Sequence, residues 1–165
     1  MLHIYHGNGK GKTSNAVGMA IRASGAGLNV MFLQFLKNGS SSEIKILEKI
    51  QNITVLCCEV CNKFTFLMND DEKKIVTERH NFMISQAFRS TADIIILDEF
   101  LDAYNLNMID RKISGNFILC DNREIILTGR NPAEIFLENA DYISEINSIR
   151  HPYQKGITAR KGIEY

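Results

Sequence analysis

A glycine-rich stretch near the first residue of the chain contains the side chains needed to bind phosphate. It reads, in order, Gly7, Asn8, Gly9, Lys10, Gly11, Lys12, Thr13 and Ser14. Glycines permit the backbone angles at which successive N–H groups point at one anion. Lys12 adds a mobile cation, and the Thr13 hydroxyl group can ligate Mg²⁺. We therefore predict that residues 7–14, called the phosphate loop below, bind the phosphates of a nucleotide.

The spacing of the phosphate loop differs from the common pattern G-x-x-x-x-G-K-[ST] at one position. Gly11, Lys12 and Thr13 match the second half of the pattern, but His6 stands where the first glycine is expected. Glycines occur instead at positions 7 and 9. Because the backbone of the loop shapes the phosphate site, we expect the nucleotide to lie differently from that of ordinary NTPases.

Two acids, Asp98 and Glu99, follow an apolar run at residues 94–97. In nucleotide-binding α/β folds, a carboxylate at the C-terminal end of a neighbouring strand lies beside the phosphate loop. We predict that Thr13 and this acid pair hold Mg²⁺ or Mn²⁺, and that Lys12, Thr13 and Glu99 act in catalysis. Asp98 could alternatively serve only as the cap of a following helix.

These residues require an alternation of strands and helices to bring them together. Apolar runs predict strands over residues 2–6, 29–35, 53–58, 93–98, 124–128 and 141–149. Helical spacing predicts helices over residues 15–26, 42–50, 70–89, 99–109 and 114–121, and a last helix with Pro132 in its first turn. The alternation predicts one domain over residues 1–165, with an α/β three-layer fold of the P-loop NTPase (RecA-like) type and a mostly parallel sheet of about six strands.

The composition is that of one ordinary globular domain. Of 165 residues, 45% are hydrophobic, and 19 lysines and arginines balance 19 aspartates and glutamates. Nucleic-acid binders usually carry a basic surplus, so we predict no nucleic-acid partner. No apolar run approaches the roughly 20 residues that span a bilayer, and no signal peptide precedes the phosphate loop. We expect a cytoplasmic protein without a membrane partner, whose four cysteines are thiols.

Four stretches in this order resemble the ATP:corrinoid adenosyltransferases of the cobalamin-synthesis type. The phosphate loop matches that family's Gly-Asn-Gly string, and Phe64-Thr65-Phe66 looks like its Phe-Thr-aromatic motif, where the second aromatic is often tryptophan. Residues 126–131 resemble its late strand and loop, and residues 151–165 its C-terminal signature. Members commonly carry an extension before the first strand. This sequence starts almost at that strand, so we expect any lid or dimer contact of such an extension to differ here.

The resemblance implies transfer of the 5′-deoxyadenosyl group of ATP to cobalt(I) of a corrinoid, either cobalamin or cob(I)yrinic acid a,c-diamide, with release of triphosphate. It implies that the phosphate loop and Arg130 bind ATP, that the chain forms a homodimer, and that a reduced flavoprotein supplies electrons. Phe64 and Phe66, the aromatic pair, would pack under the corrin and exclude its lower axial ligand, which eases reduction of cobalt(II). Both rings could alternatively be core residues.

Two other functions fit part of the sequence. A nucleoside kinase would share the phosphate loop, the acid pair and a cysteine pair such as Cys58 and Cys61, but it would have a second cysteine pair where only Cys120 remains. A regulatory NTPase would need a group that orients the hydrolytic water. The Cys58-x-x-Cys61 spacing also resembles half of a zinc site. The sequence leaves open which corrinoid is preferred and whether biosynthesis or salvage dominates.

Overall fold

Six short strands pair in parallel into one sheet in the computed structural model, which describes residues 1–163. The strands are β1 (Leu2–His6), β2 (Val30–Gln34), β3 (Ile53–Cys57), β4 (Ile94–Asp98), β5 (Glu124–Gly129) and β6 (Tyr142–Glu145). Their order across the sheet is β3-β2-β4-β5-β1-β6. Because all strands run the same way, their C-terminal ends meet at one edge of the sheet. The prediction of an α/β fold with a parallel sheet is confirmed.

Helices connect the strands and cover the sheet. They are α1 (Lys12–Gly25), α2 (Ile44–Leu47), α3 (Asp70–Arg89), α4 (Phe100–Asn105), α5 (Arg111–Cys120) and α6 (Glu134–Asn139), with short 3₁₀ helices at Thr65–Leu67 and Pro152–Lys155. The start of α3 is marked by reciprocal hydrogen bonds between Asn69 and Glu72, which satisfy two backbone N–H groups that the helix leaves unpaired. No helix among the described residues is long and apolar enough to cross a membrane.

The hydrophobic core lies on both faces of the sheet. Successive side chains of a strand point to opposite faces, so Ile95 and Leu97 of β4 belong to one cluster and Ile94 and Ile96 to the other. The first cluster packs under α3, α4, α5 and α6, and the second packs under α1 and α2. All five residues of β4 are buried, and this central strand ends at Asp98.

Several predicted boundaries are wrong. Helix α2 covers only Ile44–Leu47 of the predicted residues 42–50, and α1 and α5 each begin three residues before the predicted starts at 15 and 114. The last strand ends at Glu145, well short of residue 149. Pro132 does not open a helix, because α6 begins only at Glu134 after the extended Ala133. The helix predicted over residues 99–109 is shorter in the structure. Helix α4 begins after Glu99, whose backbone is left-handed with a φ of 59°, and it ends at Asn105. Apolar spacing does not show at which residue the backbone enters or leaves a regular element, so these bounds differ from the sequence pattern.

Candidate functional site

The phosphate loop connects the C-terminal end of β1 to the start of α1. Gly7 and Gly11 have φ angles of 114° and 122°, a region that side chains other than hydrogen disfavour. Gly11 immediately precedes α1, so the free N–H groups of the first helical turn and the positive end of the helix dipole face the loop. This local geometry favours an anion at the loop, and binding of phosphate there stays a prediction.

The unusual glycine spacing has a structural explanation in the segment that follows β6. The Gly9 N–H group donates to the carbonyl oxygen of Ile146 at 2.7 Å, and a Cβ atom at Gly7 or Gly9 would lie 2.4 or 2.7 Å from that same oxygen. Asn8 accepts a hydrogen bond from the Ser148 N–H group at 2.9 Å. Glycine at positions 7 and 9 is thus required by the close approach of another part of the chain.

A cavity of about 810 Å³ opens beside the phosphate loop. Its wall includes Gly9–Ser14 of the loop, the segment at residues 36–43 after β2, Cys61–Phe64 and Glu99, together with Gly162 and Ile163 from the C-terminal signature. This size is typical of small-molecule sites. Residues 164 and 165 of that signature lie outside the described residues.

Lys12 lies in the wall of the cavity, where its ammonium group donates to the Gly9 carbonyl oxygen at 2.8 Å. Burial lowers the pKa of Lys12, and the nearby Glu99 carboxylate partly offsets this effect. The cation is therefore held against the phosphate loop, as a phosphate-binding lysine should be.

Asp98 is fully buried at the end of β4 and accepts hydrogen bonds from several elements. Its Oδ1 atom accepts from the Thr13 hydroxyl at 2.9 Å and from the Thr128 hydroxyl at 2.7 Å. Its Oδ2 atom accepts from the Gln34 amide at 3.1 Å and lies 3.5 Å from the Lys37 ammonium group. The structure thus brings Asp98 to Thr13, and Glu99 rather than Asp98 is the residue that immediately precedes α4.

The expectation that the acid pair follows a strand next to that of the phosphate loop is wrong in one respect. Strand β5 lies between β1 and β4, so β4 does not pair with β1. Thr128 of β5 contacts the acid pair instead. Its hydroxyl donates to Asp98 and accepts from the Glu99 N–H group at 2.9 Å. Asp98 reaches the loop because Thr13 lies on α1, which crosses over this part of the sheet.

Glu99 lies in the cavity wall and pairs with Lys37, whose ammonium nitrogen is 3.1 Å from Oε1 of Glu99. Burial raises the pKa of Glu99, and the Lys37 charge opposes this rise while Asp98 and Asp102 add to it. Burial would lower the pKa of Lys37, but the Asp98 and Glu99 carboxylates outweigh burial and raise it. The oxygen atoms of Thr13 and the acid pair form a donor set of the hard type that Mg²⁺ prefers.

Arg130 lies outside the cavity wall among the described residues. Its backbone N–H group donates to Oδ2 of Asp102 at 2.9 Å, and its side chain is exposed. The guanidinium charge nevertheless acts on Lys12, whose pKa it lowers. The structure therefore places Arg130 near the phosphate loop without contact to the cavity, and its role in ATP binding stays a prediction.

The aromatic pair is exposed, so the alternative that both rings are core residues is wrong. Phe64 is 72% exposed and Phe66 is 80% exposed. Their rings stack with centroids 5.5 Å apart and planes 10° from parallel. Phe66 lies within the 3₁₀ helix at Thr65–Leu67, and Phe64 immediately precedes it. Phe64 also lines the cavity. Exposed rings of this kind are typical of a binding surface.

The cysteine pair does not form a metal site in the described part of the chain. Cys58 and Cys61 are buried free thiols, and the Cys61 backbone N–H group donates to the Cys58 carbonyl oxygen at 2.8 Å. Among residues 1–163, no group of three or more histidine, cysteine, aspartate or glutamate side chains could hold a metal ion. The two thiols pack in the hydrophobic cluster under α3.

Sequence reasoning missed three side chains that contact the acid pair, namely Gln34, Lys37 and Thr128. Each lies at or just after the C-terminal end of a strand that pairs with β4. A polar residue at the end of an apolar run was the signal available. The sequence does not show which strands are neighbours, and for that reason the three residues could not be assigned.

A family model of ATP:corrinoid adenosyltransferases, described as BtuR/CobO/CobP, matches residues 1–165. A corrinoid adenosyltransferase of Pseudomonas aeruginosa is 27% identical over 169 residues, covering 100% of this chain and 83% of that protein. The corrinoid adenosyltransferase CobA of Salmonella typhimurium is 28% identical over 172 residues, covering 100% of this chain and 85% of that protein. A corrinoid adenosyltransferase of Escherichia coli strain K12 is 28% identical over 169 residues, with the same coverage of 100% and 85%.

Proposed function

Because the chain belongs to the ATP:corrinoid adenosyltransferase family, we propose that its phosphate loop and acid pair form the ATP site of this reaction. The protein is an enzyme that transfers the 5′-deoxyadenosyl group of ATP to the cobalt of a corrinoid and releases triphosphate. Cobalt(I) attacks C5′, a cobalt–carbon bond forms, and the C5′–O bond breaks with its electron pair leaving on the triphosphate. The metal is thereby oxidised to cobalt(III).

One observation carries the assignment of the site: a single cavity is lined both by the phosphate loop and by Phe64 of the aromatic pair. An enzyme that joins ATP to a corrinoid must hold both substrates with the reacting atoms close together. The cobalt supplies the nucleophile, so the protein needs no nucleophilic side chain of its own. Its task is to orient ATP and to stabilise the charge that gathers on the leaving triphosphate.

We propose that the loop N–H groups, the Lys12 ammonium group and the start of α1 stabilise the charge on the leaving triphosphate. Thr13, Asp98 and Glu99 are the residues that would hold Mg²⁺ or Mn²⁺, because their oxygen atoms lie together beside the loop. A bound divalent cation would stabilise negative charge on the triphosphate. Arg130 is proposed as an additional contact for ATP.

We propose that the aromatic pair contacts the corrinoid. Stacked, exposed rings next to the phosphate cavity provide an apolar surface that can exclude water and the lower axial ligand. We further propose a reduced flavoprotein as the electron donor and a homodimer as the assembly. The choice between cobalamin and cob(I)yrinic acid a,c-diamide requires direct comparison of the two substrates.

The assay that tests this function uses ATP, Mg²⁺ and chemically reduced cobalamin without oxygen. We expect the visible spectrum of adenosylcobalamin and one intact triphosphate for each corrinoid converted. Excess EDTA should abolish turnover, and Lys12→Met should lower it by about 100-fold, because loss of one charge-stabilising group costs about 3 kcal/mol. Formation of ADP or orthophosphate as the main product would instead support a nucleoside kinase or a regulatory NTPase.

A further inference from the structure

Lys37 contacts the acid pair directly. Its ammonium nitrogen lies 3.1 Å from Oε1 of Glu99 and 3.5 Å from Oδ2 of Asp98. The Lys12 ammonium group, in contrast, donates to the backbone of the phosphate loop. Lys37 also lines the cavity together with the loop. The two lysines therefore occupy different places in one pocket.

The backbone on either side of Lys37 is held by three separate elements. The Leu36 N–H group donates to Nε2 of the buried His80 at 3.2 Å, and the Lys37 carbonyl oxygen accepts from the Cys58 N–H group at 3.2 Å. The Phe35 N–H group donates to the Asp98 carbonyl oxygen at 2.9 Å. Leu36 adopts a φ of 55°, an unfavourable conformation that persists only where the surroundings enforce it. The position of the lysine is thus built into the fold.

The charge of the pocket explains why a lysine is needed there. Of the two adjacent carboxylates, Glu99 lines the cavity that must accept the strongly anionic triphosphate, and Asp98 is fully buried. Their negative potential would repel the triphosphate unless a cation lies against them. A divalent metal can supply that charge, and so can Lys37.

We infer that Lys37 is an internal counter-cation of the acid pair, which keeps the pocket receptive to triphosphate without a metal and competes with the metal for the same two carboxylates. This inference rests on the proposed function, because it assumes that the pocket binds ATP. Lys37 is a positioning residue in this scheme, since it contacts the acid pair and not the reacting atoms.

The experiment measures two affinities of the pocket separately, the affinity for metal-free ATP and the affinity for a divalent metal. Calorimetry in excess EDTA reports binding of ATP alone, and electron paramagnetic resonance reports binding of Mn²⁺ to the nucleotide-free protein. The variants are Lys37→Met and Lys37→Gln, which remove the charge, and Lys37→Arg, which keeps it. Lys49→Met, on the exposed surface after α2 and outside the cavity wall, is the control for loss of one positive charge.

We expect both uncharged variants to bind metal-free ATP about tenfold more weakly and Mn²⁺ about tenfold more tightly than the wild type. Lys37→Arg should stay within about threefold of the wild type for metal-free ATP, and Lys49→Met should change neither affinity. The opposite directions matter, because damage to the fold of the pocket would weaken both ligands. Using two uncharged variants keeps the test valid if one of them fails to fold.

Any other result overturns the inference, including weaker ATP binding with unchanged Mn²⁺ affinity, or variants that match Lys49→Met. The wild-type protein distinguishes this failure from failure of the proposed function. A wild type that binds no ATP and forms no adenosylcobalamin refutes the function itself. If the wild type binds ATP and forms adenosylcobalamin, but the Lys37 variants behave like Lys49→Met, only the role of Lys37 is refuted.

Discussion

His80 is a buried residue whose chemistry follows from its two hydrogen-bond partners. Nε2 accepts from the Leu36 N–H group, so the proton resides on Nδ1, which donates to the Met108 carbonyl oxygen at 2.8 Å. Burial lowers the pKa of His80 to about 4, although the hydrogen bond to Met108 opposes this shift. The neutral imidazole links α3 to the turn that carries Lys37 and to the residues between α4 and α5.

This protonation state predicts a specific pH dependence of stability. The folded pKa lies near 4 and the reference value is 6.5, so between these values the unfolded chain binds a proton that the folded chain does not. The free energy of unfolding should fall by about 3 kcal/mol as pH drops through this range, and this contribution should be constant above it. Urea unfolding of the wild type and of His80→Gln across this range tests the prediction. The variant should be less stable at neutral pH but should lose this part of the slope, and parallel curves would contradict the argument.

At the scale of elements, the phosphate loop depends on the segment that follows β6. Gly7 and Gly9 approach the Ile146 carbonyl oxygen so closely that a side chain at either position would collide with backbone. Asn8 accepts a hydrogen bond from the Ser148 N–H group of the same segment. The loop is therefore held in place by the segment after β6, the strand at one edge of the sheet, as well as by β1 and α1.

Gly9→Ala tests this dependence. Its Cβ atom would lie 2.7 Å from the Ile146 oxygen, so the loop or the segment must move, and we expect a loss of about 1–3 kcal/mol in unfolding free energy together with weaker ATP binding. Gly18→Ala is the matched control, because Gly18 lies inside α1 with nothing within 4 Å of its Cβ position. That variant should gain about 0.5–1 kcal/mol. Equal effects of the two substitutions in denaturant unfolding would refute the close-approach argument.

At the scale of the whole molecule, the buried aromatic rings and the rings that we propose for corrinoid contact are different sets. Phe32, Phe35, Phe100 and Phe136 are fully buried in the two clusters that cover the sheet. The aromatic pair belongs to neither cluster and projects from the surface beside the cavity. Removal of the exposed rings should therefore affect function without affecting the fold.

The double variant Phe64→Ala/Phe66→Ala should change the free energy of unfolding by no more than about 0.5 kcal/mol. Its turnover should fall by about tenfold or more when a reduced flavin must reduce cobalt(II), and by less when cobalt(I) is supplied chemically. Phe100→Ala, in the core, should cost about 3–5 kcal/mol and serves as the contrasting case. Unchanged turnover of the double variant under the flavin conditions would exclude the proposed corrinoid contact.

The sequence by itself determined the parts of this protein that depend on neighbouring residues along the chain. Helix α3 begins and ends at the predicted residues, since its cap and its apolar spacing are local signals. The phosphate loop and the acid pair were also recognisable, because each is a short run of the residue types that its chemistry requires.

Tertiary structure alone decided which distant residues meet. Strand order placed β5 between β1 and β4 and thereby made Thr128 a bridge to Asp98. It also brought Lys37 to the acid pair and the segment after β6 onto Gly7 and Gly9. The sequence also left open whether the aromatic pair is exposed or buried, because residues 59–69 have no hydrophobic periodicity that would indicate a buried face. The physical reason is that a parallel sheet is assembled from pairings between remote segments, and no local pattern encodes which strands become neighbours.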